Sequence, residues 1–371
     1  MAKGKSRSPL WARLCLMVGL VLLLLGGGSW AGATVLVSRY DNAVTKADLF
    51  GDAAASPEPT SELVGPLNIL LVGIDPRDND PTWIPRADSV LILHVPASMD
   101  RAYLCSLPRD LLVDIPAFKK SNYFGGRDKL THAMFFGAQP VNGGLPDAAR
   151  GFELLSKTVS NYTGIEHFDA GAIMTFTGFL RVVNAIGGVT MNIDENVTSI
   201  HMQPDGKHRT PANNGGEGAD AYLGPQKQYH KGEQHLQGWE ALDYVRQRYI
   251  EGGDYARQRH QQQFIRAMAN QALSKHVASN PLLLDRVLRA AGSAVTFNGR
   301  GHSVVDFALA LRHLRTENIT MIKLMGGGVG VGSAYQGEQL QPSSREYFAA
   351  LRKERVESFL FAHPELINTT R

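Results

Sequence analysis

Three apolar runs, residues 67–74, 89–95 and 102–107, constrain this chain more than any other feature, because each has the length and the Leu, Ile and Val content of a buried strand. The second and third are separated by Ala97-Ser98-Met99-Asp100, a turn short enough to join them as a hairpin. In a hairpin the start of one strand lies beside the end of the next. Asp88, just before the second run, and Arg109, just after the third, therefore share one edge of the sheet. If the first run also pairs antiparallel with the second, Asp75 at its end joins them there.

Downstream, apolar residues recur at helical spacing from about Asp147 to Tyr162, with Gly164 as a stop. A short helix over 179–186 leads through Gly187-Gly188 into an alternating strand at 189–193. From 203 to 228 the chain is rich in Gly, Asn, Pro and His without a period, and reads as a mobile surface insertion. Two helices, 238–249 and 254–275, are divided by Gly252-Gly253, and Asp254 can cap the second. A helix pair near 282–288 and 304–314, a strand at 319–324 and a terminal helix over 344–361 follow. Strands and helices that alternate without a clean parallel repeat predict an α/β fold, a central mixed β-sheet covered on both faces as an α-β-α sandwich.

Ahead of this domain, Lys3, Lys5, Arg7 and Arg13 precede an uncharged Leu-rich run from Leu14 to Ser38. That run has the length of a transmembrane helix, with the basic residues 1–13 on the cytoplasmic side and everything after it outside. A cleaved signal peptide is the rival reading, since Ala31-Gly32-Ala33 fits a cleavage site. Residues 39–66 read as a linker and the domain begins near Leu67. The only cysteines, Cys15 and Cys105, lie in the membrane run and in a strand, so no internal disulfide is expected and Cys105 reads as a small core residue. A net charge of +3 without a basic stripe gives no support for nucleic acid as a partner.

Asp75 and Asp88 supply the hard oxygen ligands that magnesium prefers, commonly one or two carboxylates completed by substrate phosphate. Equally, Asp75 can open an Asx turn before Pro76, and Asp88 can cap or pair with Arg86. Arg86, Arg109, Arg246, Arg248, Arg257 and Arg259 offer guanidinium forks suited to phosphate oxygens, although solvated helix faces collect arginine too. Arg246 and Arg248 sit roughly 200° apart on an ideal helix and reach one ligand only near its end. Lys129 is a further phosphate candidate, His132 reads as a base or, more commonly for a lone histidine beside an apolar stretch, as structural, and Gly326 to Gly332 lacks a phosphate-loop ending and reads as a flexible strand exit. No hydrolase elbow or zinc motif occurs.

The ordered set Asn68-Ile69-Leu70-Leu71-Val72-Gly73-Ile74-Asp75, Arg86-Ala87-Asp88-Ser89, Pro108-Arg109-Asp110, Lys129-Leu130-Thr131-His132-Ala133, Gly187-Gly188-Val189, Ala241-Leu242-Asp243-Tyr244-Val245-Arg246-Gln247-Arg248 and Gly253-Asp254-Tyr255-Ala256-Arg257 resembles the LytR-CpsA-Psr proteins of bacterial cell-wall assembly. The match covers about 67–270. The resemblance implies a membrane-anchored, extracytoplasmic phosphotransferase, which moves a phosphosugar-linked glycopolymer from a polyprenyl diphosphate donor to a peptidoglycan hydroxyl. It implies Mg²⁺ on Asp75 and Asp88, a diphosphate held by Arg86, Arg109, Lys129, Arg246, Arg248 and Arg257, and catalytic roles for Arg109, Asp75 and Asp88. His260 departs from the arginine usual before Gln261. A non-catalytic lipid-diphosphate-binding module and a polyprenyl diphosphate hydrolase are the alternatives, since all three would use the same arginines. An apolar groove for the lipid is expected partly from residues 173–189.

Overall fold

The computed structural model describes residues 45–51, 62–76, 80–212, 216, 218–247, 250–274, 295–303 and 314–368, with a few more between 283 and 311. The expected membrane run 14–38 and Arg248 lie outside the described residues. Among the described residues no helix is long and apolar enough to cross a membrane.

The sheet is built from β1 (Thr45–Lys46), β2 (Leu67–Ile74), β3 (Ser89–Val95), β4 (Ala102–Leu107), β7 (Ala170–Thr175), β10 (Val295–Asn298) and β11 (Ile319–Ile322), in the order β1-β10-β7-β2-β3-β4-β11. It is mixed. β2 runs antiparallel to β3 and β3 to β4, while β7 lies parallel to β2 and β11 parallel to β4. Outside it lie small antiparallel pairs, among them β5 (Leu112–Ile115) with β6 (Gly126–Lys129), and β8 (Val189–Ile193) with β9 (Gly232–Leu236).

Strand alternation sorts the core into two layers, because successive side chains point to opposite faces. Leu67, Ile69 and Leu71 face one cluster with Val182, Tyr244, Phe264 and Met268. Leu70, Val72 and Ile74 face the other with Met134, Phe152, Tyr347 and Phe348. The first layer is therefore roofed by α3 (Phe176–Ala185), α4 (Gly238–Arg246) and α5 (Gly253–Ser274). The second is roofed by α1 (Leu130–Ala138), α2 (Ala148–Thr163), α6 (Pro342–Arg352) and α7 (Val356–Ala362). Helix α2 is bounded as its sequence suggests, with Asp147 Oδ1 accepting from the Arg150 amide at 3.1 Å and Gly164 left-handed at its end.

Four expectations need correction. The sheet begins before Leu67: Thr45–Lys46 pairs with β10, and Leu49 and Phe50 are buried in the second layer, so part of the expected linker belongs to the domain. Two strand residues are too few to show a period. Gly326 to Val329 is no loose strand exit but β12, paired with β13 (Gly337–Leu340). The terminal helix breaks at 353–355, where Glu354 takes a positive φ. The 203–228 insertion is tied down by Arg209, whose buried guanidinium donates to the carbonyls of Ile200, Ala219, Tyr222 and Gly224.

Candidate functional site

One end of the sheet collects the chemistry. Antiparallel pairing of Gly73 with Ser89 puts the end of β2 against the start of β3, and the Asp88 amide donates to the Gly73 carbonyl at 2.9 Å. Pairing of Val90 with Leu107 brings the end of β4 to the same level. Parallel pairing of Ile74 with Thr175 adds the end of β7, where the Thr175 hydroxyl accepts from the Gly178 amide and starts α3. Gly73 fits this convergence: a Cβ there would stand 3.0 Å from the Phe176 ring and 3.2 Å from the Ser89 Cβ, so that these neighbours would have to shift.

Asp75, Asp88, Arg109, Arg246 and Arg257 meet at this end. Arg109 donates to Asp88 Oδ1, and Arg246 donates to Asp75 Oδ2. Arg246 is the last residue of α4, where the helix dipole favours a cation, and its guanidinium also lies 5.6 Å over the Phe176 ring. Arg257, 4% exposed, donates to the Asp88 backbone carbonyl at 2.9 Å and pairs with Asp254 at 2.6 Å. One turn further along α5, Gln261 Oε1 accepts from the Ser89 hydroxyl at 2.9 Å. Arg257 and Gln261 thus bind the start of β3 from one helix face.

Lys129 stands beside this group rather than in it. Its Nζ is 3.8 Å from Asp110 Oδ1, which is also 3.7 Å from Arg109 Nε. Arg86 lies over the Phe135 ring at 4.8 Å and is not the partner of Asp88. His132 Nδ1 stands 2.9 Å from Asp128 Oδ1, and its ring packs near Phe135 and Phe136. Sequence reasoning missed the hairpin β12–β13 as a wall. The Glu338 amide donates to the Asp110 carbonyl, its carboxylate accepts from Tyr335 and Tyr255, and Tyr335 lies 4.8 Å under Lys129. Glycine-rich spacing carries no signal for such a wall.

Burial pushes the Asp88 carboxyl up, Arg109 and Arg257 pull it back, and the charge of Asp75 pushes it up again, so it stays above the usual carboxylate range. Asp75 and Asp88 stand close enough for the charge of Asp75 to act on Asp88, and each carboxylate has a guanidinium on one oxygen. The donor set is oxygen only and fits Mg²⁺ together with phosphate.

Directly behind these charges lies an apolar cavity of about 80 Å³, its lining including Gly73, Ser89, Met174, Phe176, Phe179 and Phe264. From the stretch expected to form a lipid groove, Met174, Phe176 and Phe179 contribute to it, whereas Val182, Val183, Ile186 and Val189 are core. The arrangement joins a rim of guanidiniums and carboxylates to a small apolar interior.

The LytR_cpsA_psr family model matches residues 34–353. A polyisoprenyl-teichoic acid–peptidoglycan teichoic acid transferase, TagU, of Enterococcus faecalis is 27% identical over 300 residues, 76% of this chain and 84% of the relative. TagU of Bacillus subtilis is 23% identical across 96% of this chain and 98% of its own length. Among solved structures, B. subtilis TagV superposes with a TM-score of 0.54 at 22% identity, covering 78% of this chain and 97% of that one. A structure described as TagT bound to LI-WTA superposes with a TM-score of 0.53 at 22% identity, covering 82% and 98%. At such identity these two likenesses speak for the fold.

Proposed function

The chain belongs to the LytR_cpsA_psr family, and from that premise we propose that it transfers a phosphosugar-linked glycopolymer from a polyprenyl diphosphate carrier to a peptidoglycan hydroxyl in cell-wall assembly. The acceptor oxygen forms a bond to the glycan-side phosphorus. The bond from that phosphorus to the bridging oxygen breaks, polyprenyl monophosphate departs, and the acceptor proton passes to solvent or a nearby base. The observation that carries this reading is the ring of Asp75, Asp88, Arg109, Arg246 and Arg257 in front of an apolar cavity.

Each residue then has a task. Arg109 and Arg246, 25% and 42% exposed, are free to turn from their carboxylates toward diphosphate oxygens, where a guanidinium fork stabilises charge developing on the departing phosphate. Buried Arg257 acts by positioning, since its bonds hold the Asp88 backbone and Asp254. Lys129 and Arg86 extend the basic rim. Asp75 and Asp88 would hold Mg²⁺, which when bound offsets diphosphate charge. The prenyl tail would enter behind Phe176 and Phe179.

The anchor reading of residues 14–38 adds an orientation. Thr45 aligns with Thr296, that residue with Ile173, and Ile173 with Val72, so β1 begins at the sheet end that carries Asp75. The chain from Ser38 to Thr45 reaches about 25 Å at most, no more than the length of β2 at roughly 3.3 Å per residue. A bilayer-spanning segment there keeps the charged end of the sheet toward the membrane, where a lipid-linked donor resides. The reading is tested with purified chain, Mg²⁺, a lipid-linked glycan and peptidoglycan. A covalent phosphodiester product supports it; lipid binding without product sinks it.

A further inference from the structure

Beside the face of α5 that meets Asp88 and Ser89 through Arg257 and Gln261, the chain leaves β8 through Asp194 and Glu195 and meets His260. This histidine has no exposed surface, and its Nε2 makes no hydrogen bond. Nε2 nevertheless stands 3.3 Å from Asp194 Oδ1 and 3.4 Å from Glu195 Oε1. The ring is fixed by stacking on Tyr244, with centroids 4.4 Å apart and planes 21° from parallel. Both carboxylates are also fixed. Arg259 Nε donates to Asp194 Oδ2 at 2.6 Å, Arg259 Nη2 donates to Glu195 Oε1, and the Tyr244 hydroxyl donates to Asp194 Oδ1 at 3.3 Å.

We propose that Asp194, Glu195 and His260 form a site for a divalent transition-metal ion, separate from Asp75 and Asp88, that fastens the exit of β8 to α5. The three donor atoms lie within 4.8 Å of one another. Ligands about 2.0–2.1 Å from a tetrahedral ion stand about 3.4 Å apart, which is the spacing of Nε2 from either carboxylate. One imidazole with two carboxylates favours zinc or a neighbouring first-row ion over magnesium, which avoids nitrogen donors. Arg259 balances one of the two carboxylate charges and orients both groups by bonds to their oxygens, as outer partners of metal ligands do. Glu195, 30% exposed, leaves a path for the ion. An ion here would fix the rotation of α5, the helix that also presents Arg257 and Gln261 to the start of β3.

The test uses zinc and cobalt ions alone on the full chain, with metal content measured after dialysis and the visible absorption of the cobalt form as the reporter of an imidazole ligand. Wild-type chain and an Asp75→Asn/Asp88→Asn double variant should each retain one zinc per chain. His260→Ala and Glu195→Gln should each lose at least tenfold in affinity, together with the cobalt absorption. Glu195→Gln keeps its place at the partly exposed loop and covers the case in which His260→Ala fails to fold. Zinc retained equally by both variants, zinc lost on changing Asp75 and Asp88 instead, or no zinc in the wild-type chain would each overturn the site.

Discussion

Arg257 Nη1 donates to the backbone carbonyl of Asp88 across 2.9 Å, tying the second turn of α5 to the first residue before β3. The helix therefore holds the Asp88 backbone in place. Arg109, just past the end of β4, holds the Asp88 carboxylate instead, and the two arginines are embedded differently: Arg257 is 4% exposed, whereas the Arg109 side chain keeps 25% of its surface.

That difference separates two substitutions. Arg109→Ala should abolish transfer while costing about 1 kcal/mol or less, because it removes a partly solvated pair. Arg257→Ala should abolish transfer and also cost about 3 kcal/mol or more, since it removes a buried guanidinium that holds both the Asp88 carbonyl and the largely covered Asp254 carboxylate. Denaturant unfolding with a turnover assay checks both, and equal stabilities would contradict the division of tasks.

Replacing Asp75 and Asp88 with Asn should preserve the fold and remove the Mg²⁺ response of donor binding. The readout is donor affinity titrated with and without chelator. An unchanged Mg²⁺ response in the double variant would show that the ion is held elsewhere.

Much of this geometry was legible in the sequence, and the reasons differ by residue. The edge shared by Asp88 and Arg109 follows from one short turn and period-two alternation, both local. The bond from Arg246 to Asp75 spans 171 positions and depends on α4 being laid over β7 and β2, which no local pattern encodes. Residue type made Arg246 a phosphate candidate, but its pairing with Asp75 was not legible. The β12–β13 wall stayed hidden because Gly326, Gly327 and Gly328 have no side chains to show alternation. The strand Thr45–Lys46 is shorter than any period.

Arg209 makes a prediction about the insertion. Its guanidinium satisfies four backbone carbonyls that would otherwise hold loosely together. Arg209→Ala should cost about 2–3 kcal/mol, as expected for charged hydrogen bonds lost from a buried group, and open residues 203–228 to protease. Cleavage no faster than in the wild-type chain would mean that the segment is held by other contacts.

His94 gives a pH dependence. Burial pulls its imidazole down to about 4, and Nδ1 donates to Asn68 Oδ1 at 2.9 Å. A lowered value means that the neutral ring is the folded form: its contribution is complete above the unfolded value near 6.5 and is lost as pH falls from there toward 4. Glu354 Oε1, 3.2 Å from Nε2, opposes this, but burial pushes its own carboxyl up toward the neutral form. Between pH 7 and pH 5 the wild-type chain should lose about 2 kcal/mol more than His94→Gln. Parallel stability curves for the two chains would contradict it.

Cys105 should behave as a core atom. It is fully buried, and burial pushes its thiol up to about 12. Thiol reagents should label it only at the rate of global unfolding, so labelling of native chain at the rate of a free thiol would disprove its placement.

The most direct measurement follows one phosphorus atom. A donor labelled at the glycan-side phosphate is mixed with the chain, Mg²⁺ and peptidoglycan. Transfer at this site predicts the label on peptidoglycan with wild-type chain, unlabelled polyprenyl monophosphate as the co-product, and neither with Arg109→Ala. Label left on the lipid, or released as free glycan phosphate whether or not peptidoglycan is present, would contradict it.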